Sequence, residues 1–160
     1  MTAENIHATG LVLDGHGLIL RGPSGAGKSL LALELMDQWE ARGLSAKLVS
    51  DDRVEIVADG SGLAMRAPKA IEGLIELRGR GIVSRPFVAS GPLHLVVDLV
   101  EVFERLVEED ALRTELLGVS IARAPVPRAG LVDARHQLLL VKEALRSLPP
   151  KARRTRQKTT

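Results

Sequence analysis

The run Gly22-Pro23-Ser24-Gly25-Ala26-Gly27-Lys28-Ser29 constrains this 160-residue chain more than any other feature. Apolar residues Leu18-Ile19-Leu20 precede it. Leu30, Leu31, Leu33, Leu35, Met36 and Trp39 follow at helical spacing, with Glu34, Asp37, Gln38 and Glu40 between them. The local order is therefore strand, glycine-rich loop, helix. Glycines at this spacing let successive backbone N–H groups converge without a Cβ in the way. The helix that follows aims its own N-terminal N–H groups at the same point. Such a concavity takes a phosphate chain: Lys28 reaches the terminal phosphates, and the Ser29 hydroxyl can ligate Mg²⁺. All eight residues, Gly22, Pro23, Ser24, Gly25, Ala26, Gly27, Lys28 and Ser29, are candidates to bind ATP.

The strand before the loop has a partner. Gly10-Leu11-Val12-Leu13-Asp14, a turn at Gly15-His16-Gly17, and Leu18-Ile19-Leu20-Arg21 predict a β-hairpin. Downstream, the helix is expected over 29–42 with Gly43 as its stop. Strands are expected at 47–50, at 54–57 and over 94–100, with a turn at 59–62. A short helix is expected around 71–74 and a final helix over 135–148. Pro125 and Pro127 mark irregular chain. The class is α/β: a mixed sheet with flanking helices, in one domain over 1–148.

Composition narrows the chemistry. Hydrophobic residues make up 45% of the chain and aromatic residues 2%, so the core is built from Leu, Val, Ile and Ala. With no cysteine, disulfides, thiolate catalysis and Cys-based zinc sites are excluded. His16, His94 and His136 read as structural or solvent-facing and form no metal set. No stretch is long and apolar enough to span a bilayer, and the N-terminus does not read as a signal peptide, so the expectation is a cytoplasmic protein. Lys151, Arg153, Arg154, Arg156 and Lys158 crowd the last ten residues; without these five charges the net +2 becomes −3. The basicity thus belongs to a tail, 149–160, expected to be disordered, and nucleic acid is not an expected partner.

Asp51 and Asp52 end the strand at 47–50. Ligands of α/β sheets collect beyond the carboxyl ends of strands, and in phosphate-loop proteins an acid there holds the metal or orients the attacking group. In extended chain two adjacent acids point to opposite sides, so only one faces the phosphates unless the strand has ended.

These residues, with several others, resemble the C-terminal kinase domain of the bacterial HPr kinase/phosphorylase family. Ile6-His7-Ala8-Thr9-Gly10 is similar to the family's His-containing segment. The phosphate loop places Lys28 and Ser29 in the family's positions. Leu48-Val49-Ser50-Asp51-Asp52-Arg53-Val54 resembles the Asp-Asp-Arg-Val segment, and Ile75-Glu76-Leu77-Arg78-Gly79-Arg80-Gly81 the family signature. Phe103-Glu104-Arg105-Leu106 resembles a later segment with a catalytic Arg. The resemblance covers residues 6–127 and implies the short form without the N-terminal domain. Arg80, Ser84 and the region after Arg123 depart from the family pattern.

The resemblance implies a phosphate-loop kinase fold like that of phosphoenolpyruvate carboxykinase, and ATP-dependent phosphorylation of a serine of HPr, the phosphocarrier protein of the sugar phosphotransferase system. It further implies reversal by inorganic phosphate and a homo-oligomer, a hexamer. It makes Asp52 the proton acceptor, with His7, Lys28 and Arg105 also catalytic, and Ser29, Glu76 and Asp51 the Mg²⁺ ligands. Two other readings stay open: a phosphate-loop kinase acting on a metabolite, and a regulator that binds ATP without transferring phosphate.

Overall fold

The computed structural model describes residues 2–149. The basic tail from Lys151 onward lies outside them. Twelve strands and two helices follow in order: β1 (Thr2–Ile6), β2 (Ala8–Leu13), β3 (His16–Arg21), α1 (Lys28–Ala41), β4 (Ala46–Ser50), β5 (Val54–Asp59), β6 (Gly62–Arg66), β7 (Leu74–Leu77), β8 (Gly81–Ser84), β9 (Ser90–Pro92), β10 (Leu95–Val100), β11 (Arg113–Leu116), β12 (Val119–Pro127) and α2 (Ala134–Arg146). Two 3₁₀ turns, Lys69–Ile71 and Glu109–Leu112, interrupt the connections.

A six-stranded sheet in the order β11-β12-β10-β3-β2-β4 is the frame. β3, β10 and β12 run parallel, while β2, β4 and β11 pair antiparallel with their neighbours. A four-stranded antiparallel sheet, β1-β5-β6-β9, and the β7-β8 hairpin complete the fold. Strand alternation decides which layer covers which face. On β3, Leu18 and Leu20 belong to a cluster with Leu31, Leu35 and Met36 of α1 and Leu138 and Val141 of α2. Ile19, between them, points the other way, into a cluster with Val54, Ile56, Leu63 and Met65 of the smaller sheet. The helices therefore cover one face and the second sheet the other, giving three layers over two cores.

The expected hairpin is β2–β3, longer than the sequence indicated and closed at Asp14 and Gly15, whose φ values of 48° and 80° fit a tight hairpin turn. The expected helices appear as α1 and α2, shifted by a residue or two. α1 ends as Gly43 suggests: Leu44 N–H donates to Trp39 C=O and Gly43 N–H to Glu40 C=O, both at 2.9 Å.

Three expectations change. Pro125 and Pro127 lie inside β12, paired in register with Asp98 and Val100. β11 accompanies β12 only as far as Ala122, so beyond it β12 is an edge strand. Prolines two residues apart turn their nitrogens to the same side, and at an edge no neighbour needs a donor there. The short helix expected around 71–74 is a 3₁₀ turn at Lys69–Ile71, and Leu74 already belongs to β7. The single sheet is joined by a second, whose outer strand Thr2–Ile6 is almost wholly exposed and carries no apolar alternation to read.

Candidate active site

The site lies at the carboxyl ends of β3 and β4. β3 delivers Arg21 into the loop, and α1 begins at Lys28 with Gly27 as its N-cap. Gly27 holds φ 91°, and a Cβ there would stand 3.0 Å from that of Ala129. The positive φ strains any residue other than glycine there, and the Cβ contact would be tight. Lys28 is 7% exposed. Its ammonium donates to the carbonyls of Gly22 (2.8 Å) and Pro23 (3.3 Å), so the cation sits over the loop that the first amides of α1 also face.

Asp51 is the hub of the site. Its Oδ1 accepts from the hydroxyls of Ser29 (2.7 Å) and Thr9 (2.9 Å), and its Oδ2 from the backbone N–H of Glu76 (3.2 Å). One carboxylate thereby ties together β2, the start of α1 and β7. The pair sequence in β2–β4 steps from Leu48 to Ser50 between Leu11 and Gly10, an irregularity that ends the ladder beside this carboxylate. Thr9 is fully buried. It escaped the sequence reading because threonine is an ordinary strand residue. Its position two residues after His7, on the face that turns toward α1, was the available signal.

Asp52 is set apart from Asp51 by backbone geometry. Arg53 N–H donates to Asp51 C=O at 2.9 Å, closing a three-residue turn centred on Asp52 with φ 69°. That is the rarer and more strained hand of the γ-turn. The strand has ended, so the two carboxylates are no longer bound to alternate faces. Asp51 turns to the loop, while Asp52 turns to His7, whose Nε2 donates to Asp52 Oδ1. Both side chains are about half exposed or more, at 48% for His7 and 68% for Asp52. Asp52 and His7 line a cleft of about 900 Å³ that Ser24 of the phosphate loop, Arg53, Glu55 and Arg66 also reach. Arg66 and Glu55 are paired across β5 and β6, with Arg66 Nε 2.8 Å from Glu55 Oε1.

Glu76 lies in the β7–β8 hairpin, which the whole signature segment forms. Arg80 N–H donates to Leu77 C=O at 2.9 Å and closes the turn through Arg78 and Gly79. Ile75 anchors β7 in the core, and Glu76, next in the strand, is exposed on the opposite side. Arg78 and Arg80 are exposed at the turn. Among the described residues, no three His, Cys, Asp or Glu side chains gather as a metal cluster.

The structure thus brings His7, the phosphate loop, Asp51, Asp52 and the backbone of Glu76 together. It does not bring Arg105 into that group. Arg105 lies in the exposed stretch after β10 and lines a separate hollow of about 400 Å³ with Phe103, Arg123 and His136. A further hollow of about 530 Å³ flanks the start of α1, between Gly27 and Leu30 on one side and residues 129–134 on the other.

Residues 1–151 match the family model described as HPr Serine kinase C-terminal domain. The chain belongs to that family. It is 30% identical over 139 residues to the HPr kinase/phosphorylase of Mycoplasma mycoides, a match covering 79% of this chain and 42% of the relative. The HPr kinase/phosphorylase of Bordetella pertussis is 30% identical over 155 residues, covering 89% of this chain and 47% of that one. The chain thus spans less than half the length of these curated relatives. Among solved structures, the Hpr(Ser) kinase/phosphatase from Coxiella burnetii matches with a TM-score of 0.70 and 28% identity, over 89% of this chain and 88% of that one. The α/β architecture expected from the sequence is therefore that of a phosphate-loop kinase domain. No described helix of this family member is long and apolar enough to cross a membrane.

Proposed function

We propose that this chain is the catalytic domain of an ATP-dependent serine kinase that phosphorylates HPr, and that it can reverse the transfer with inorganic phosphate. One observation carries the reading: Asp51 and Asp52 are adjacent, yet one faces the loop serine and the other, held by His7, faces an open cleft beside the same loop.

In this reading Lys28 and the amides at the start of α1 hold the β- and γ-phosphates. Ser29, Asp51 and Glu76 are the residues that would hold Mg²⁺. The donor set would suit that ion, because the Ser29 hydroxyl and the Asp51 and Glu76 carboxylates all offer oxygen, the ligand type it prefers. The Ser29 hydroxyl spends its proton on Asp51, so its lone pairs remain available. When bound, the cation neutralises charge on the phosphate oxygens. The acceptor serine enters from the cleft. His7 occupies Asp52 Oδ1 and leaves Oδ2 to take the serine proton as the new O–P bond forms and the bond to the bridging β,γ-oxygen breaks. In reverse, a phosphate oxygen attacks the phosphoserine, the serine oxygen leaves with the proton from Asp52, and pyrophosphate forms. Arg105 offsets charge on the transferring group, which requires the stretch after β10 to approach the loop.

The functional domain takes in residues 1–148, and the protein works in the cytoplasm as a hexamer. The exposed Val102, Phe103 and Leu106 support an interface between copies. The metabolite-kinase and non-catalytic readings are less favoured, since the family and the Asp52–His7 pair both suit transfer to a serine. The test is incubation with γ-labelled ATP, Mg²⁺ and HPr. Label on the HPr serine, removable by excess phosphate, is expected; tight ATP binding without label on HPr would sink the assignment.

A further inference from the structure

On three neighbouring strands of the six-stranded sheet, an apolar residue of the second core is followed on the same face by a charge. Ile19 is followed two residues later by Arg21, Val96 by Asp98, and Ile121 by Arg123. Residues two apart on a strand share a face, so the three charged side chains gather on one face of β3, β10 and β12, where Asp98 stands in register with Arg21 and Val96 with Arg123. Asp98 is the shared acceptor. Arg21 meets it with a two-pronged fork, Nε to Oδ1 at 2.8 Å and Nη2 to Oδ2 at 3.0 Å. Arg123 Nε donates to Oδ2 at 2.6 Å, and its Nη1 continues to the carbonyl of Ala111 at 2.8 Å.

The chain on either side of this triad matters. Arg21 directly precedes Gly22, the first residue of the phosphate loop. Ala111 sits in the 3₁₀ turn that closes the exposed stretch after β10, the stretch that carries Arg105. Asp98 is thus the one carboxylate bonded both to the residue entering the loop and to the side chain that fastens the far end of the Arg105 segment. An apolar trio of similar size would fill the same space without the desolvation cost of three charges. What the charges add is direction: a planar fork fixes both angle and distance, which packing of apolar groups does not.

We propose that Asp98 is a positioning residue, which through Arg21 and Arg123 sets the Arg105 segment relative to the phosphate loop for phosphoryl transfer. The inference rests on the reading that this site transfers phosphate and that Arg105 takes part. Asp98 touches no reacting group. Its effect is to anchor the far end of the 101–112 stretch at Ala111, so that Arg105 approaches the loop from a fixed point, and misplacement by about 1 Å can cost on the order of a hundredfold in rate.

The experiment compares the full chain with Asp98→Asn, Arg123→Gln and Arg123→Lys. For each, one measures the thermal midpoint, the affinity for Mg·ATP, kcat for transfer to HPr, and amide hydrogen exchange across 101–112. For Asp98→Asn and Arg123→Gln the affinity is expected to stay within about threefold, because neither change removes a contact of Lys28 or of the loop's own amides. Exchange across 101–112 is expected to accelerate, and kcat to fall by about tenfold or more. Arg123→Lys restores a positive charge but cannot serve Asp98 and Ala111 in one planar fork. It is expected to recover the thermal midpoint without recovering kcat or the slow exchange.

If Asp98→Asn does not fold, Arg123→Gln decides, since it leaves the Arg21–Asp98 fork intact. A lower thermal midpoint with unchanged kcat and exchange would overturn the proposal, as would recovery of all three by Arg123→Lys. If the native chain puts no phosphate on HPr, the functional reading fails on its own. Exchange then still decides the tether, and unchanged protection across 101–112 in both Asp98→Asn and Arg123→Gln would refute it.

Discussion

Replacing Asp51 by Asn removes one charge and almost no volume, yet it rearranges every contact at the hub. In the native chain the carboxylate accepts three hydrogen bonds, from Ser29, Thr9 and the Glu76 amide. An asparagine can keep all three partners only by turning its carbonyl oxygen to the Glu76 N–H and its NH₂ to the two hydroxyls, which then accept instead of donating. Three charge-assisted bonds become neutral ones. At roughly 1 kcal/mol lost per bond, the cost is about 2–4 kcal/mol, or roughly 5–15 °C in thermal midpoint for a domain of this size. The reversal also engages a lone pair of Ser29 that, in the proposed reading, would go to the metal. The affinity for Mg·ATP is therefore expected to drop by about 10- to 100-fold. Binding of ATP without metal should hold steady or improve, because a negative charge facing the phosphates has gone. Calorimetric titration with and without Mg²⁺ separates the two effects. If Asp51→Asn binds Mg·ATP as the native chain does, the carboxylate is not part of a metal site, and the assignment of Ser29 and Glu76 falls with it.

Gly17→Ala should be among the most damaging single changes, because a Cβ there would lie 1.5 Å from the backbone oxygen of Pro92. A loss of about 4 kcal/mol or more is expected in urea unfolding, against less than about 0.5 kcal/mol for Gly60→Ala, whose Cβ meets nothing within 4 Å. Asp98 should also make the fold acid-sensitive. Burial pushes its pKa up, but the hydrogen bonds and charges of Arg21 and Arg123 outweigh burial and hold it below the ordinary value of 3.8. A depressed carboxylate contributes stability above its unfolded pKa and loses it as pH falls through the folded one. The stability gap between the native chain and Asp98→Asn, measured by urea unfolding, should thus be full at pH 7 and shrink below about pH 3.8. Thr9→Val keeps shape and removes one donor from Asp51 at a fully buried position. It should cost about 1–2 kcal/mol and weaken Mg·ATP binding less than Asp51→Asn does, as titration of the same pair of ligands would show.

What the sequence disclosed was local. The strand–loop–helix order around the phosphate loop and the Gly43 stop follow from backbone preferences of neighbouring residues and lie where expected, whereas the hairpin turn expected at 15–17 closes earlier, at Asp14 and Gly15. What it concealed depends on distant partners. Pro125 and Pro127 read as strand breakers until β11 is seen to stop at Ala122 and leave them an edge. Leu74–Leu77 is too short for periodicity to decide, and becomes a strand by pairing with β8. The polar Thr2–Ile6 strand exists because β5 offers it a ladder. At the site, the adjacent acids Asp51 and Asp52 stood out in the sequence and the resemblance implied a different role for each, but the geometry of their division was not legible. That division is made by the γ-turn at Asp52 and by His7, 45 residues away in sequence. Thr9 and Asp51 are likewise joined across 42 residues, beyond the reach of any local pattern.

In the proposed mechanism Asp52 moves the proton while Asp51 serves the loop. Asp52→Asn tests it most directly, by titration with Mg·ATP and by transfer of γ-label to HPr in the same preparation. Nucleotide affinity is expected to stay within about threefold of native and transfer to fall by about 10²–10⁴-fold, the range for removal of a general base. Transfer that survives the substitution, or an affinity that collapses with it, would contradict the division of labour between the two carboxylates.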